Sequence, residues 1–392
     1  MAEAYIVAAT RTAGGRKGGR LREWHSADLA GAVLDELIAR TGIDPNRVDD
    51  VLMGCVTQAG EQSSNIARNA ILASSLPERV PGVSLDRQCG SSQQAMHFAA
   101  QAVMSGTMDV VIAAGVENMS RSPMGMAAMM PMKAGFGGPM SPKIHARYPD
   151  VQEFSQFVGA ELIAAKHNQT KDQLDRFGFE SHQRAIAATQ AGAFKDEILV
   201  LEGKDAEGNV VAHDSDEGIR YNVSLEGMQG VKLLQEGGRL TAATSSQICD
   251  GASGVMIVSE KALKELGLTP IGRIHHMTVI GGDPIFMLET PLPATELALK
   301  RAGMKIDDID LYEVNEAFAS VPMAWLGAIG ADPAKLNVNG GAIALGHPLG
   351  ASGTKLMTTM LHALKARGGR YGLQTMCEGG GLANVTIVER LN

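Results

Sequence analysis

The sequence has few cysteines, and they are far apart. Cys55, Cys89, Cys249 and Cys377 are the four in its 392 residues. Cysteines so scattered give neither a disulfide framework nor a pair with metal-ligand spacing. We therefore expect reduced thiols, no metal and no covalently bound cofactor.

Long apolar runs and blocks of positive charge are also missing. No stretch approaches the ~20 apolar residues that span a bilayer, and residues 1–9 carry an acid where a signal peptide has basic residues. Lys and Arg number 35 against 43 Asp and Glu, a net charge of −8 spread over short patches. We expect a cytoplasmic protein with no membrane insertion and no nucleic-acid face. A polyanionic ligand would have to meet local basic groups.

The composition that remains is that of a large globular protein. With 45% hydrophobic and 20% charged residues, the chain is long enough for two or three packed units. Short apolar runs, such as residues 110–115 and 255–258, alternate with longer helical patterns, which is typical of an α/β protein with buried strands. Residues 26–40 predict an amphipathic helix with Ser26 as N-cap and an end beside Gly42.

A faint internal repeat relates the two ends of the chain. The pattern of helix end, acidic turn and strand occurs around Asp49 and again around Asp307. The same displacement of 258 positions carries Cys89 to His347, which a duplicated fold with facing halves would produce. Chance also explains the match, because acidic turns before strands are common and the two loop lengths differ.

Residues 120–245 differ in texture from both flanks and look inserted. The segment begins with methionines spaced among Gly and Pro from Met124 to Met140. Methionine adapts to irregular apolar surfaces. The stretch therefore fits a pocket for a bulky group, an oligomer contact or ordinary loop packing.

Cys89 lies where an apolar segment turns into a helical run, in residues 85–95, LDRQCGSSQQA. At a helix N-terminus, free amides and the helix dipole stabilise a thiolate, so we expect a lowered pKa and a nucleophile at neutral pH. Taken alone, a single cysteine is more often a small buried hydrophobe.

His347 lies in a glycine-rich loop, residues 337–353, NVNGGAIALGHPLGASG. Glycines so dense indicate close backbone approach, and histidine is the side chain suited to take a thiol proton near pH 7. A phosphate loop is the rival interpretation, but the Lys-Ser/Thr ending of that loop is missing.

Two further segments carry polar groups at predicted strand ends. Residues 375–384, TMCEGGGLAN, place Cys377 beside glycine amides that can converge on an oxyanion. Residues 312–319, YEVNEAFA, place Asn315 where it can hold a water or polarise a carbonyl. A strand-end turn and a helix N-cap are the respective structural alternatives.

Together these four segments resemble the signature blocks of the thiolase family, in the family's order and across almost the whole chain. The resemblance implies an α/β duplicated thiolase fold: two mixed β-sheet halves in a layered α-β-α-β-α arrangement with an inserted loop domain. We predict an N-terminal half at 1–120 plus 246–269, a loop domain for coenzyme A binding and oligomer contacts at 121–245, and a C-terminal half at 270–392.

The resemblance also implies roles for individual residues. Cys89 matches the acylated nucleophile, His347 its base, and Cys377 the acid/base at the substrate α-carbon. Asn315 matches the residue that holds a water, which with His347 forms one oxyanion hole. The backbone amides of Cys89 and Gly379 match the other hole.

The implied reaction is thiolytic cleavage of a 3-ketoacyl-CoA by CoA, giving acetyl-CoA and a shortened acyl-CoA through a Cys89 acyl-enzyme. It is reversible as a Claisen condensation, should be ping-pong, and fits β-oxidation of fatty acids or related chains. CoA is a substrate, and a homodimer or homotetramer is expected. By the same resemblance, Ser246 in residues 240–251 touches pantetheine and Arg220 lies near the nucleotide end.

Two segments depart from the acetoacetyl-CoA-specific pattern. Residues 154–159, FSQFVG, stand where those members resemble one another in His-Met-Gly, and residues 284–291, PIFMLETP, lack the usual glycines. The departures favour a degradative enzyme that takes longer or bulkier acyl groups over a biosynthetic acetoacetyl-CoA thiolase.

Three further alternatives remain, of which the first is a condensing enzyme of the same superfamily. A ketoacyl synthase pairs its cysteine with two histidines or with a histidine and an asparagine, which Cys377 argues against. A non-catalytic acyl-CoA-binding protein needs none of Cys89, His347, Asn315 and Cys377, so their presence argues against it. An unrelated cysteine hydrolase leaves Cys377 and its glycines unexplained.

Overall fold

The computed structural model describes residues 2–392, so Met1, the first residue of the predicted N-terminal half, lies outside it. Strands and helices alternate along the chain. The strands are β1 Ala4–Thr12, β2 Gly15–Arg16, β3 Asp50–Gly54, β4 Gly82–Leu85, β5 Val110–Asn118, β6 Ile198–Leu199, β7 Leu201–Lys204, β8 Val210–His213, β9 Cys249–Ser259, β10 Gly272–Gly281, β11 Leu311–Val314, β12 Tyr371–Glu378 and β13 Leu382–Arg390. The α-helices are α1 Ser26–Thr41, α2 Ile66–Leu72, α3 Ser91–Met104, α4 Met126–Lys133, α5 Pro142–Arg147, α6 Gln156–Lys166, α7 Lys171–Gln190, α8 Leu225–Gln229, α9 Glu260–Glu265, α10 Pro291–Ala302, α11 Ser320–Ile329, α12 Ala342–Leu345 and α13 Ser352–Arg367.

The main sheet is a duplicated unit. Its strand order is β11-β12-β13-β10-β1-β9-β5-β3-β4, so that β11-β12-β13-β10 mirrors β3-β5-β9-β1. In both units the outer pair, β3–β5 or β11–β12, is parallel and the other pairs are antiparallel. The halves join where β1 pairs with β10, through Tyr5 opposite Arg273 and Ile6 opposite Gly272.

Local contacts give the register of the duplication. Helices α1 and α10 end at Gly42 and Gly303, both in the left-handed conformation, with φ of 64° and 67°. The carboxylate of Asp49 accepts the backbone amides that begin β5, and that of Asp310 accepts those that begin β12. The interval is 261 residues in each case, from 42 to 303 and from 49 to 310.

The predicted displacement of 258 is therefore wrong. It aligned Asp49 with Asp307, but the second acidic turn contains several aspartates and only the contacts of Asp310 match those of Asp49. An interval of 261 places Gly350, not His347, in the position equivalent to Cys89. Cys89 and His347, the predicted nucleophile and its predicted base, are thus not related by the duplication.

The two units and their helices form five layers. Within β5, Ile112 packs in a cluster with Leu34 of α1, whereas its neighbour Val111 packs with Met96 of α3 and Met357 of α13. Alternate residues of one strand therefore face different layers. Helices α10 and α11 cover the outer face of the second unit, and α3 and α13 lie between the units.

The central helices approach each other closely at their N-terminal ends. A Cβ on Gly353 of α13 would lie 2.1 Å from the backbone nitrogen of Gln93 in α3. The amide of Thr354 donates to Ser92 Oγ at 3.0 Å across the same contact. Because Cys89 precedes one helix and His347 the other, this contact brings their loops to the same region.

One connection between strands differs between the two units, because that of the first unit contains a long insertion. The second unit joins β12 to β13 through a turn of three glycines, 379–381, whereas the first unit places residues 119–248 between β5 and β9. The insertion contains α4 to α8, and methionines in and near α4, such as Met129 and Met130, are exposed at its surface. No helix within residues 2–392 combines the length and apolar character needed to cross a membrane.

The cap of α1 differs from the prediction. His25, not Ser26, is the N-cap, and its Nδ1 accepts the amide of Ala27 at 3.2 Å. Ser26 is the first helical residue and is fully buried, with its hydroxyl directed at Gln62. The inward rotation of that hydroxyl takes it away from the capping position.

Candidate active site

Cys89 sits on a strained turn at the N-terminus of α3. The preceding residue, Gln88, has φ of 49°, a left-handed conformation that is uncommon outside glycine. The turn is fixed because Asp86 Oδ1 accepts the Gln88 amide at 2.6 Å, and Ser91 Oγ accepts the Arg87 amide at 2.9 Å. The side chain of Cys89 is thereby presented at a defined position next to the helix end.

The surroundings of Cys89 oppose the lowered pKa that the sequence predicts. Burial, and then negative charge on Glu378, raise the pKa of Cys89 to about 12, and a backbone amide opposes the shift. Burial thus outweighs the helix N-terminus. A thiol with so high a pKa would act as a nucleophile only with a base that takes its proton in the same step as the attack.

His347 is positioned to accept such a proton. Ser352 Oγ donates to the carbonyl of Pro348 at 2.8 Å, so it accepts from His347 Nδ1, 2.5 Å away. That arrangement places the proton on Nδ1 and a lone pair on Nε2. Burial, and then the charge of Lys355, lower the pKa of His347 to about 3, so the imidazole is neutral.

The loop of His347 is held from two sides. Buried Lys355 Nζ donates to the carbonyls of Leu345 at 2.6 Å and Gly346 at 3.0 Å. The His347 amide donates to the carbonyl of Gln247 at 3.1 Å. A cation below the loop therefore both positions the imidazole and disfavours its protonation.

Cys377 and Gly379 lie beside the turn that carries Cys89. Burial raises the pKa of Cys377 well above its usual value, and charge on Cys89 is the next contribution, which indicates that the two thiols share one environment. A Cβ on Gly379 would lie 2.8 Å from Gln88 Oε1, so the glycine turn packs directly on the Cys89 turn. Both thiols are buried, at 8% and 1% exposure.

Asn315 joins the same group of residues. The backbone amide of Asn315 donates to the carbonyl of Thr375, on the strand of Cys377, at 3.1 Å. The side-chain Nδ2 of Asn315 lies 3.4 Å from His347 Nε2. Within residues 2–392, the buried Oδ1 of Asn315 has no hydrogen-bond partner. A side chain so placed can hold a small polar group, such as a water, beside His347.

The two predicted coenzyme A residues lie apart from each other. Ser246 is half-buried, and its amide donates to the carbonyl of Ala317 at 2.9 Å, next to the Asn315 segment. Arg220 is exposed at the surface of the insertion, and its backbone amide donates to His182 Nδ1 at 3.3 Å. The structure brings Ser246, but not Arg220, up to the loops of the catalytic candidates.

The two departing segments meet beside Cys377. A Cβ on Gly159 would lie 3.1 Å from the carbonyl of Phe286, so residues 154–159 pack on residues 284–288. Phe157 packs edge-on against Phe318, with ring centroids 5.6 Å apart. Phe154, Phe286, Met287 and Phe318 belong to the apolar cluster that contains Cys377.

Sequence reasoning missed four residues of the site: Gln88, Ser352, Lys355 and Glu378. Ser352 and Lys355 follow His347 at five and eight positions in the next helix, so the start of that helix was a usable signal. The conformation of Gln88 and the surroundings of Glu378 arise from contacts between distant segments and leave no local signal.

The comparisons with known proteins decide the family. The thiolase N-terminal domain matches residues 4–261 and the thiolase C-terminal domain matches residues 268–390. The chain belongs to the thiolase family. The family resemblance, the duplicated fold and the enzyme class are thereby confirmed, and this thiolase is an acyltransferase that uses coenzyme A as a substrate. Among residues 2–392 there is no cluster of three or more His, Cys, Asp or Glu suited to a metal ion.

Similar proteins extend over the whole thiolase chain. A steroid 3-ketoacyl-CoA thiolase, FadA6, of Mycobacterium tuberculosis (strain ATCC 25618 / H37Rv) is 55% identical over 100% of this chain and 95% of the relative. A 3-ketoacyl-CoA thiolase of Yersinia pestis (strain Pestoides F) is 42% identical over 100% of both chains. The crystal structure of the Bacillus anthracis acetyl-CoA acetyltransferase matches with a TM-score of 0.91 and 33% identity, over 100% of this chain and 99% of that one.

Proposed function

We propose that this thiolase cleaves 3-ketoacyl-CoA with CoA, in a degradative β-oxidation pathway, through an acyl-enzyme on Cys89. The observation that carries the proposal is that the segments of Asn315, His347 and Cys377 meet beside the Cys89 turn: Asn315 Nδ2 lies 3.4 Å from His347 Nε2, and Gly379, two residues after Cys377, packs on Gln88. Binding alone would require none of these groups. The assignment of roles to these residues is part of the proposal.

In the first half-reaction, Cys89 Sγ attacks the C3 keto carbon and its proton passes to His347 Nε2. The C2–C3 bond breaks, and Cys377 donates its proton to the α-carbon of the departing acetyl-CoA, becoming a thiolate. Asn315, with a water and His347, stabilises one oxyanion, and the Cys89 and Gly379 amides stabilise the other.

In the second half-reaction, the Cys377 thiolate takes the proton of the incoming CoA thiol. The CoA sulfur attacks the acyl carbonyl, and the Cys89 thiolate leaves and regains its proton from His347. Each group returns to its starting state, so the cycle balances and ping-pong kinetics are expected.

Cys89→Ser should abolish thiolysis and leave CoA binding intact, because a hydroxyl is a far weaker nucleophile than a thiol but fills the same space. Cys377→Ala should still form some acyl-enzyme from an acyl-CoA but fail at protonation of the α-carbon. Mass spectrometry of the intact protein measures acylation. Full activity of Cys89→Ser would contradict the mechanism.

We propose a bulky, ring-bearing acyl group as the substrate class. The aromatic residues beside Cys377 and the 55% identity to a relative named for steroid 3-ketoacyl-CoA support this choice. The alternative, an acetoacetyl-CoA thiolase, is favoured by the structural match to an acetyl-CoA acetyltransferase. Comparison of kcat/KM for acetoacetyl-CoA, linear and ring-bearing 3-ketoacyl-CoA separates them, since the highest value on acetoacetyl-CoA would support the alternative.

We also propose the division of the chain into the halves 1–120 plus 246–269 and 270–392, with 121–245 as the loop domain that binds CoA. The contact of Ser246 with the Asn315 segment supports a pantetheine role, and exposed Arg220 supports a role near the nucleotide phosphates. Arg220→Ala should raise the KM for CoA several-fold and leave kcat nearly unchanged. An unchanged KM would remove Arg220 from the site.

A homo-oligomer and a cytoplasmic location complete the proposal. Strand β4 ends the strand order of the sheet, and exposed Val83 on it and exposed Leu72 on the adjacent α2 suit an edge that pairs with a second copy. Light scattering of the wild type and of Val83→Lys tests the assembly. Cysteine chemistry that requires reduced thiols fits a reducing compartment, which cell fractionation tests.

A further inference from the structure

Two glutamates occupy equivalent positions in the duplicated fold. Glu117 near the end of β5 and Glu378 at the end of β12 are separated by the same interval of 261 residues, from 117 to 378. Glu117 is buried and well satisfied, since its carboxyl oxygens accept the amides of Val56 at 2.9 Å, Thr57 at 3.0 Å and Gly350 at 2.9 Å. Glu117 therefore holds the segment of Val56 and Thr57 beside the loop of Gly350.

Glu378 is buried without such contacts. Its exposure is 0%, and neither carboxyl oxygen has a side-chain hydrogen-bond partner in the described part of the chain. The carboxyl lies against the backbone of Gly90, where a Cβ would be 2.0 Å from Oε1. Glu117 accepts the backbone amide of Gly350. The interval of 261 residues that relates Glu117 to Glu378 also relates Cys89 to Gly350, so Cys89 is the residue equivalent to Gly350.

The carboxyl of Glu378 therefore lies against the residue that follows Cys89, and Glu378 itself follows Cys377 on β12. A buried carboxyl with no compensating hydrogen bonds favours its neutral form. Burial raises the pKa of Glu378 well above its usual value, and Arg87 and a backbone amide at Asn384 oppose the shift. Negative charge on Glu378 raises the pKa of Cys89 and of Cys377 alike.

We propose that Glu378 is a positioning residue of the thiolase reaction, a neutral acid packed on Gly90 whose ionisation suppresses formation of the Cys89 thiolate. The inference rests on the proposed role of Cys89 as nucleophile. Arg87, Cys89 and Cys377 are the charged or titratable groups that face Glu378. Asp86, Glu117, Glu378 and Cys377 are those that face Cys89, and His347 is its proposed base.

The test is the rate at which iodoacetamide alkylates Cys89 between pH 6 and pH 10, read by mass spectrometry of the peptide that carries it. Wild type and Glu378→Gln should coincide at the acid end, where the carboxyl is neutral. At alkaline pH the variant should react faster, by on the order of tenfold, because one nearby charge shifts a thiol pKa by about one unit or more. The alkaline limb of kcat/KM should move in the same direction.

Glu378→Met removes the charge with an unbranched side chain and repeats the test if the glutamine variant folds poorly. Glu313→Gln is the matched control: Glu313 is also buried, but it faces Glu316, Glu197 and Lys355. This control should leave the alkylation profile of Cys89 unchanged.

Two outcomes would overturn the inference: profiles of wild type and Glu378→Gln that superimpose at every pH, or a control variant that diverges as much. The alkylation assay does not depend on turnover. Absence of thiolysis in the wild type would therefore contradict the proposed function, whereas superimposed alkylation profiles would contradict the role of Glu378.

Discussion

Removing the hydroxyl of Ser352 should weaken catalysis by changing the tautomer of His347. In the wild type, the Ser352 hydrogen goes to the Pro348 carbonyl, and its oxygen accepts the proton on Nδ1 of His347. In Ser352→Ala, the Nδ1–H loses its acceptor inside the protein. The imidazole can avoid this by moving its proton to Nε2, which removes the lone pair that takes the thiol proton.

The expected loss of activity follows from the burial of His347. A buried donor left without a partner costs about 1–3 kcal/mol, and His347 is 3% exposed. The tautomer competent as a base is therefore less stable by about 1–3 kcal/mol, which corresponds to a fall in kcat/KM of roughly 5- to 150-fold. Thiolysis of a 3-ketoacyl-CoA measures the rate, and ¹⁵N chemical shifts of the histidine ring measure the tautomer.

Thr354→Val is the matched control. Thr354 is a buried residue of the same helix, but its hydroxyl contacts Ser253 Oγ, 2.7 Å away, instead of His347. It should lower stability and leave the tautomer of His347 unchanged. A Ser352→Ala enzyme with kcat/KM within about twofold of wild type, or a Thr354→Val enzyme impaired to the same degree, would refute the reasoning.

Three other predictions concern stability and substrate choice. Gly353→Ala should lower the thermal midpoint of unfolding sharply, since the added Cβ would lie 2.1 Å from the backbone nitrogen of Gln93. Gly327→Ala is the control, because a Cβ at Gly327 would have no atom within 4 Å. Burial lowers the pKa of His97 to about 3, so its stabilising contribution is present above about pH 6.5 and is lost towards pH 3, by roughly 1.4 kcal/mol per pH unit. Denaturant titrations at pH 7 and pH 5 should show that loss, and His97→Gln should remove the share of His97 while the shares of His347 and His182, whose pKa values are also lowered, remain. Phe157→Ala should reduce kcat/KM for ring-bearing substrates more than for acetoacetyl-CoA, and equal losses would exclude Phe157 from the acyl pocket.

The sequence by itself was enough for the family, and it supplied the four residues that remain the predicted catalytic groups. Cys89, His347, Asn315 and Cys377 each stand in a short segment whose glycines and strand-like flanks are local features, so their order along the chain was readable without coordinates. The α/β character was likewise local, because runs such as residues 110–115 reflect burial on both faces of a strand.

Only the tertiary structure decided the properties that depend on distant segments. Burial raises the pKa of the Cys89 thiol despite a helix N-terminus, because burial opposes charge more strongly than one helix end favours it. The register of the duplication is 261 and not 258, because contacts at Asp310, not the acidic composition of its turn, set the alignment. Glu117 and Glu378 look alike in sequence, but one meets loop amides and the other meets Gly90 beside the nucleophile. That difference arises when chain segments hundreds of residues apart pack together, so it has no local signature.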